Sequence, residues 1–341
     1  MLNVLPAYLG ERVRVVTDDK TILSEGPVVI WLKSSHRFHE NPAIDVGRVL
    51  AEHHDLPMLV YHGIDERYPH ASLRHHNSLL DAAVDVSRLC KKNGIKHALH
   101  VAREGHRSSV MKEFAATASL IITDLFPIPP WDKWVKNVAK IADCPVIEVD
   151  CHCVIPMPLY GKSVDRPFKF RSATKKLRKA RIQRPWPKVD AKPKQYDGKL
   201  PFTPVDVESE VADMKARFNL LKQCDIDPTV HPVWAEKGGE IFALNKWQQY
   251  LDKGLSGYAR RRNNAADPNG VSRLSSAFHY GFLSPMKVAR EAAAVGTKAA
   301  EKYLDELLIF REHAWHHIYN SDDPYSPANL PGLGIGFLEK V

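Results

Sequence analysis

Short, uninterrupted apolar runs alternate with amphipathic stretches through the first 155 residues of the chain. The runs are Val28–Leu32, Met58–His62, Ala98–Val101, Leu120–Asp124 and Val146–Asp150. Between them, apolar positions recur with helical spacing over Ile44–His54, Ser72–Asn93, Ser108–Ala118 and Asp132–Ala142. Strands that are apolar on both faces, separated by amphipathic helices, predict a parallel sheet covered on both sides. Right-handed crossovers make such a domain doubly wound.

The pattern changes at residue 156. Residues 156–204 are rich in Pro, Lys and Arg and read as a connection between domains. From residue 205 the strand signal fades, and helical periodicity runs over Val207–Leu221, Gly239–Lys253, Ser276–Tyr280, Ser284–Ala294 and Ala299–Tyr319. Asp206 is placed to cap the first of these, and Ser284-Pro285 puts proline in the first turn of another. The expected architecture is α/β then all-α: a doubly wound domain over 1–155, a basic linker over 156–204 and a helical domain over 205–341. The tail after Tyr319 is turn-rich, with no finished helix.

A length of 341 residues suits about two domains. No apolar run reaches transmembrane length, so no membrane partner is expected. The N-terminus lacks the basic start and cleavage site of a secretory signal. The five cysteines are scattered, as in proteins of a reducing compartment. The expected location is intracellular, cytoplasmic or with nucleic acid. Cys151-His152-Cys153 reads as buried thiols at a strand end rather than a metal site, because no second ligand pair follows at zinc spacing. The net charge is +8, yet residues 161–199 alone hold fourteen Lys/Arg against three Asp/Glu. The basic character therefore resides in the connection, either as a solvated linker or as one that touches phosphate backbone. No G-x-G-x-x-G follows the first strand and no P-loop occurs, which argues against a dinucleotide dehydrogenase or a P-loop NTPase.

Candidate chemistry concentrates in Gly257–Pro285, GYARRRNNAADPNGVSRLSSAFHYGFLSP. A tyrosine and three arginines lead through a polar turn into Ser272-Arg273-Leu274-Ser275, where a helix is expected to open. Hydroxyls and free backbone N–H groups at such a start suit phosphate, although an ordinary helix cap explains the same residues. The preceding arginines suit further phosphates, including those of a nucleic acid.

The order of these segments resembles the DNA photolyase and cryptochrome family over nearly the whole chain, with details similar to class II cyclobutane pyrimidine dimer photolyases. The resemblance is carried by Val28–Glu40, Gly257–Asn263 (GYARRRN), Val271–Ser275 (VSRLS), His279–Gly281 and Asp305–Glu312 (DELLIFRE). It implies that the helical domain binds FAD. Tyr258, Ser272, Arg273, Leu274 and Ser275 match cofactor-binding positions. Glu306 matches the carboxylate beside the lesion, where a neutral acid donates a hydrogen bond as charge develops on the dimer; its apolar neighbours Leu307, Leu308 and Ile309 are expected to desolvate it. Glu312 competes for that role. Arg262 matches an arginine near the flipped-out dimer, and Phe310 stands where class II enzymes commonly have a lesion-stacking Trp. Arg260 and Arg261 read as phosphate contacts or surface charges, and Trp234, Trp247 and Trp315 as core.

The implied activity is light-driven splitting of pyrimidine dimers in DNA by electron transfer from reduced FAD. The alternative is a degenerate relative that binds nucleotide or DNA, or a cryptochrome-like photoreceptor without repair. An antenna chromophore is left unspecified. Two substitutions depart from the family pattern: Val271 replaces the usual Thr, and Phe310 the usual Trp. The chain also reads as C-terminally truncated, with half of the flavin domain expected beyond it or on a second chain.

Overall fold

The computed structural model describes residues 2–17 and 19–327. Seven strands form one sheet: β1 (Val13–Val15), β2 (Val28–Leu32), β3 (Pro57–Ile64), β4 (Lys96–Val101), β5 (Leu120–Asp124), β6 (Val146–Val149) and β7 (Lys194–Gln195). Their order is β1-β6-β5-β2-β3-β4, with β7 beside the start of β3. All neighbours are parallel except β1, which runs antiparallel to β6.

Period-two alternation splits strands β2, β3, β5 and β6 between two cores. Val28, Ile30 and Leu32 pack with Ile44 and Leu50 of helix Pro42–His53 and with Val86 and Leu89 of helix Leu73–Lys92. Val29 and Trp31 pack on the other face with Phe114 and Val135, from helices Val110–Thr117 and Trp131–Ile141. Both faces are therefore covered, as uninterrupted apolar strands require. Asn41 caps helix Pro42–His53 by accepting from the amides of Ala43 and Ile44, with Pro42 in the first turn.

The 156–204 segment is more than a bare connection. It contains helices Met157–Tyr160, Pro167–Ala173 and Lys175–Ile182, and then β7. Phe170 is fully buried, the Trp186 indole N–H donates to Asp45 (2.9 Å), and Phe202 packs edge-on against Tyr61. The segment is thus strapped along the molecule, with most of its cationic side chains outward and Arg181 turned in onto Glu11.

The C-terminal part is helical: Met214–Leu221, Glu240–Lys253, Pro285–Val295, Lys298–Asp305 and Glu312–Tyr319. A wide, π-helical turn over Glu306–Arg311 joins the last two, and another over Val207–Val211 opens the segment. Asp206 and Ser284 cap as expected, accepting from the amides of Ser209 and Lys287. The tail is described only to Pro327; the rest of that expectation lies outside the described residues.

One continuous core joins the two parts, from Ile64, Leu80 and Val101 of the α/β part to Trp247, Leu274 and Leu308 of the helical part. Buried polar groups stitch the same boundary. The Arg37 guanidinium donates to the carbonyls of Cys151 and Gly281. Glu240 accepts from the amides of Phe38 (2.9 Å) and His39 (3.0 Å). Gly281 sits at φ +62°, where a Cβ would meet the Ser34 carbonyl oxygen at 2.5 Å, so only glycine allows this approach.

Candidate functional site

The Gly257–Pro285 stretch begins with the one-turn helix Tyr258–Arg261. Arg261 then turns back onto Asp267 with two hydrogen bonds (2.5 and 2.7 Å). That fork closes the polar loop, so Arg261 serves the turn rather than a ligand. Arg260 is exposed. The helix expected to open at Ser272 starts at Ser275, because Arg273 adopts a left-handed conformation (φ +51°). Leu274 is a core plug, 1 % exposed. Neither Ser272 nor Ser275 caps this helix, since no side-chain cap bond is made there.

Both serines instead border a cleft of about 390 Å³. Phe278, Tyr303, Leu307 and Trp315 supply its apolar walls, and Glu306 and Arg311 its charges. The Tyr303 hydroxyl donates to Ser272 Oγ (3.3 Å), orienting one hydroxyl at the rim. Arg311 donates to the His152 carbonyl (2.7 Å), and its guanidinium lies over Phe278 and Trp315. Trp315 stacks on the buried His152 at 4.7 Å and 9°. Burial, followed by the Arg311 charge, holds the His152 imidazole well below its ordinary range and therefore neutral. The α/β part thus backs one wall of the cleft.

Glu306 is held by two cations, Arg262 Nη1 and Lys302 Nζ, each 2.9 Å from Oε1. Its apolar neighbours Leu307, Leu308 and Ile309 are buried, whereas the Glu306 side chain keeps about a third of its surface exposed. The expected isolated carboxyl in an apolar pocket is therefore not what the fold provides; Glu306 is an ion-paired group at the cleft edge. Tyr258 is buried edge-on against Tyr303 and does not border the cleft. Its hydroxyl is pushed up by burial and then by the charge of Glu306. Phe310 is 45 % exposed, with the Lys302 ammonium over its ring, outside the cleft lining.

Glu312 requires a correction. It was a candidate for contact with DNA, but it is wholly buried and accepts from the amides of Val154 (2.6 Å) and Ile155 (3.3 Å). It ties the end of the α/β part to the last helix. Burial pushes its carboxyl up to about 7 against the pull of those amides. The tryptophans divide as well: Trp247 is core, Trp234 is 59 % exposed, and Trp315 lines the cleft.

The sequence does not single out Arg311 and Tyr303, and it reads Trp315 as core although that ring lines the cleft. Tyr303, Glu306, Leu307, Arg311 and Trp315 nevertheless form one stripe along the final helices. That spacing was the signal available. The cleft offers hydroxyl donors at one end, aromatic walls and a guanidinium, a set suited to a phosphate-bearing aromatic ligand.

No protein-family model matches the chain. It is similar to the deoxyribodipyrimidine photo-lyase of Methanothermobacter thermautotrophicus, 26 % identical over 329 residues, covering 94 % of this chain and 68 % of that protein. The deoxyribodipyrimidine photo-lyase of Potorous tridactylus is 25 % identical over 311 residues, covering 89 % of this chain and 54 % of the relative. Among solved structures, a class III photolyase from Agrobacterium tumefaciens superimposes with a TM-score of 0.61 at 16 % identity, covering 89 % of this chain and 61 % of that one. A cryptochrome from Synechocystis sp. PCC6803 does so with a TM-score of 0.63 at 16 % identity, covering 87 % and 62 %. These two likenesses establish the shared fold.

Proposed function

We propose that this relative of the photolyases and cryptochromes holds FAD in the cleft bordered by Ser272, Ser275 and Trp315, and acts on pyrimidine dimers in DNA. One observation carries the reading. Ser272 and Ser275 of the phosphate-type turn and Glu306, far along the sequence, line a single cleft, and Arg262 pairs with that carboxylate. Ser272 and Ser275 suit the pyrophosphate of the cofactor, and Phe278, Tyr303 and Trp315 offer aromatic and apolar surface to its rings. When bound and reduced, a flavin supplies the photoexcited electron that splits the dimer.

The residues of the chain bind and position. Arg262 and Lys302 lie beside Glu306 and are suited to draw in the phosphate backbone of an extruded dimer. Phe310, exposed beside them, offers a ring face to an unstacked base. When a dimer displaces one of the cations, Glu306 is left at the cleft edge, within reach of the pyrimidine carbonyls. Class II specificity belongs to this proposal and rests on the GYARRRN segment.

A second reading, binding without repair, is favoured by the double clamp on Glu306, which ties up the group expected to assist splitting. Reconstitution separates the two. The purified chain, incubated with FAD and desalted, is expected to retain a flavin absorption band and to restore dimer-containing oligonucleotides under near-ultraviolet light. Failure to retain flavin removes the first reading. DNA binding that is salt-sensitive but indifferent to the dimer selects the second.

A further inference from the structure

Away from the cleft, Ala7–Arg12, the Arg181–Pro187 stretch and helix Pro285–Val295 enclose a second pocket of about 250 Å³. Its walls are apolar and partly flat: Tyr8 and Trp186 meet edge-on at 5.6 Å, with Ile182, Pro185 and Met286 beside them. Four guanidiniums border it, those of Arg12, Arg181, Arg184 and Arg290, against the single carboxylate of Glu11. Glu11 is already engaged by Arg181 (2.6 Å), and Arg290 by Glu40.

Three polar atoms of the residues around it are buried without a partner, each closed off from the pocket space: Arg12 Nε, Arg181 Nε and the Tyr8 hydroxyl. Arg12 is 97 % buried, and its Nη1 is spent on the carbonyls of Asp150 and Cys153. Arg184 is exposed at the mouth and has no ion-pair partner among the described residues. Apolar walls, four guanidiniums against one engaged carboxylate and a free cation at the entrance together define an amphiphilic anion site.

We infer that this pocket binds a small aromatic anion, a flat ring system bearing one carboxylate or phosphate, with the ring against Tyr8 and Trp186 and the anionic group toward Arg12 and Arg184. The site is separate from the cleft and does not depend on flavin or DNA binding there. Nothing in the lining selects carboxylate over phosphate, so both are probed.

Isothermal titration of the purified chain with naphthalene-2-carboxylate and its neutral amide, and with AMP and adenosine, tests the assignment. At least one anion is expected to bind roughly tenfold or more tightly than its neutral partner, a difference of about 1.4 kcal/mol. Arg184→Ala should remove that preference, and Arg184→Lys should restore part of it. Because Arg184 is exposed and unpaired, both variants should fold, as circular dichroism would confirm. Ser272→Ala and Ser275→Ala, in the other cleft, should leave the titration unchanged. Equal affinity for anion and neutral analogue, no binding at millimolar concentration, or sensitivity to the serines instead of Arg184 would each overturn the assignment.

Discussion

Arg262 Nη1 lies 2.9 Å from Glu306 Oε1, joining the arginine-rich turn to the helix that lines the cleft across more than forty residues of chain. Lys302 shares the same carboxylate oxygen. Both side chains of the pair are about a third exposed, so the energetic coupling is modest. A double-mutant cycle of Arg262→Ala and Glu306→Gln, followed by urea unfolding, is expected to give a coupling of about 0.2–1 kcal/mol. A coupling well above that range would mean that the pair is more deeply buried than its exposure here allows.

The serines of the phosphate-type turn are predicted to govern cofactor retention rather than folding. Ser272→Ala and Ser275→Ala should each weaken FAD binding by roughly tenfold, about 1.4 kcal/mol, the scale of one charge-assisted hydrogen bond. The Ser275→Ala midpoint should stay close to the parent, since that hydroxyl caps no helix, whereas Ser272→Ala also takes the acceptor from the Tyr303 hydroxyl and should cost about 1 kcal/mol. Flavin fluorescence titration reads the first effect and thermal unfolding the second.

Glu312 predicts a pH dependence of definite sign. Its carboxyl is raised from 4.5 to about 7 in the folded chain. Between those values the native state keeps a proton that the unfolded state has lost, so stability falls as pH rises through the window. The full effect is on the order of 3 kcal/mol. Glu312→Gln should flatten this slope and gain on the parent steadily from pH 5 to pH 7.5. Urea unfolding at several pH values checks it; parallel curves would mean that the carboxyl titrates normally.

Gly281→Ala should destabilise the boundary between the two parts. The residue sits at φ +62°, and the added methyl would fall 2.5 Å from the Ser34 carbonyl oxygen. Strain of this kind costs about 1–3 kcal/mol. Gly94→Ala is the control: its φ is also positive (+68°), but nothing lies within 4 Å of the new methyl, so only the smaller conformational cost remains. Chemical denaturation of the two variants compares them directly.

How much of this was legible depended on whether the signal was local. Val28–Leu32 and Leu120–Asp124 are strands over the residues their apolar runs predict, because strands buried on both faces need no polar alternation. Val13–Val15 escaped notice: it is short, carries Arg14 at its centre, and is a strand only through pairing with β6. Helix Lys175–Ile182 buries no residue, so no apolar face announced it; Lys, Arg and Ala favour the helix intrinsically. At the site, Ser272, Ser275 and Glu306 were readable from their motifs. The role of Glu312 was not, since it depends on amides at Val154 and Ile155 that only the tertiary fold brings near.

The wide turn over Glu306–Arg311 works as an indexing element. In a regular α-helix, residues five apart point about 140° away from one another. Pairing at i→i+5 brings the fifth residue back over the first, so Glu306 and Arg311 reach the same cleft. The phase of everything downstream is thereby fixed by residue count rather than by composition. Removing a single residue from this turn would return it to ordinary i→i+4 pairing and leave Trp315 and Glu312 in phase, whereas adding one would rotate the final helix by about 100°, carrying Trp315 out of the cleft and Glu312 off its amides together. The segment should accept many substitutions and the loss of one residue, but not the gain of one.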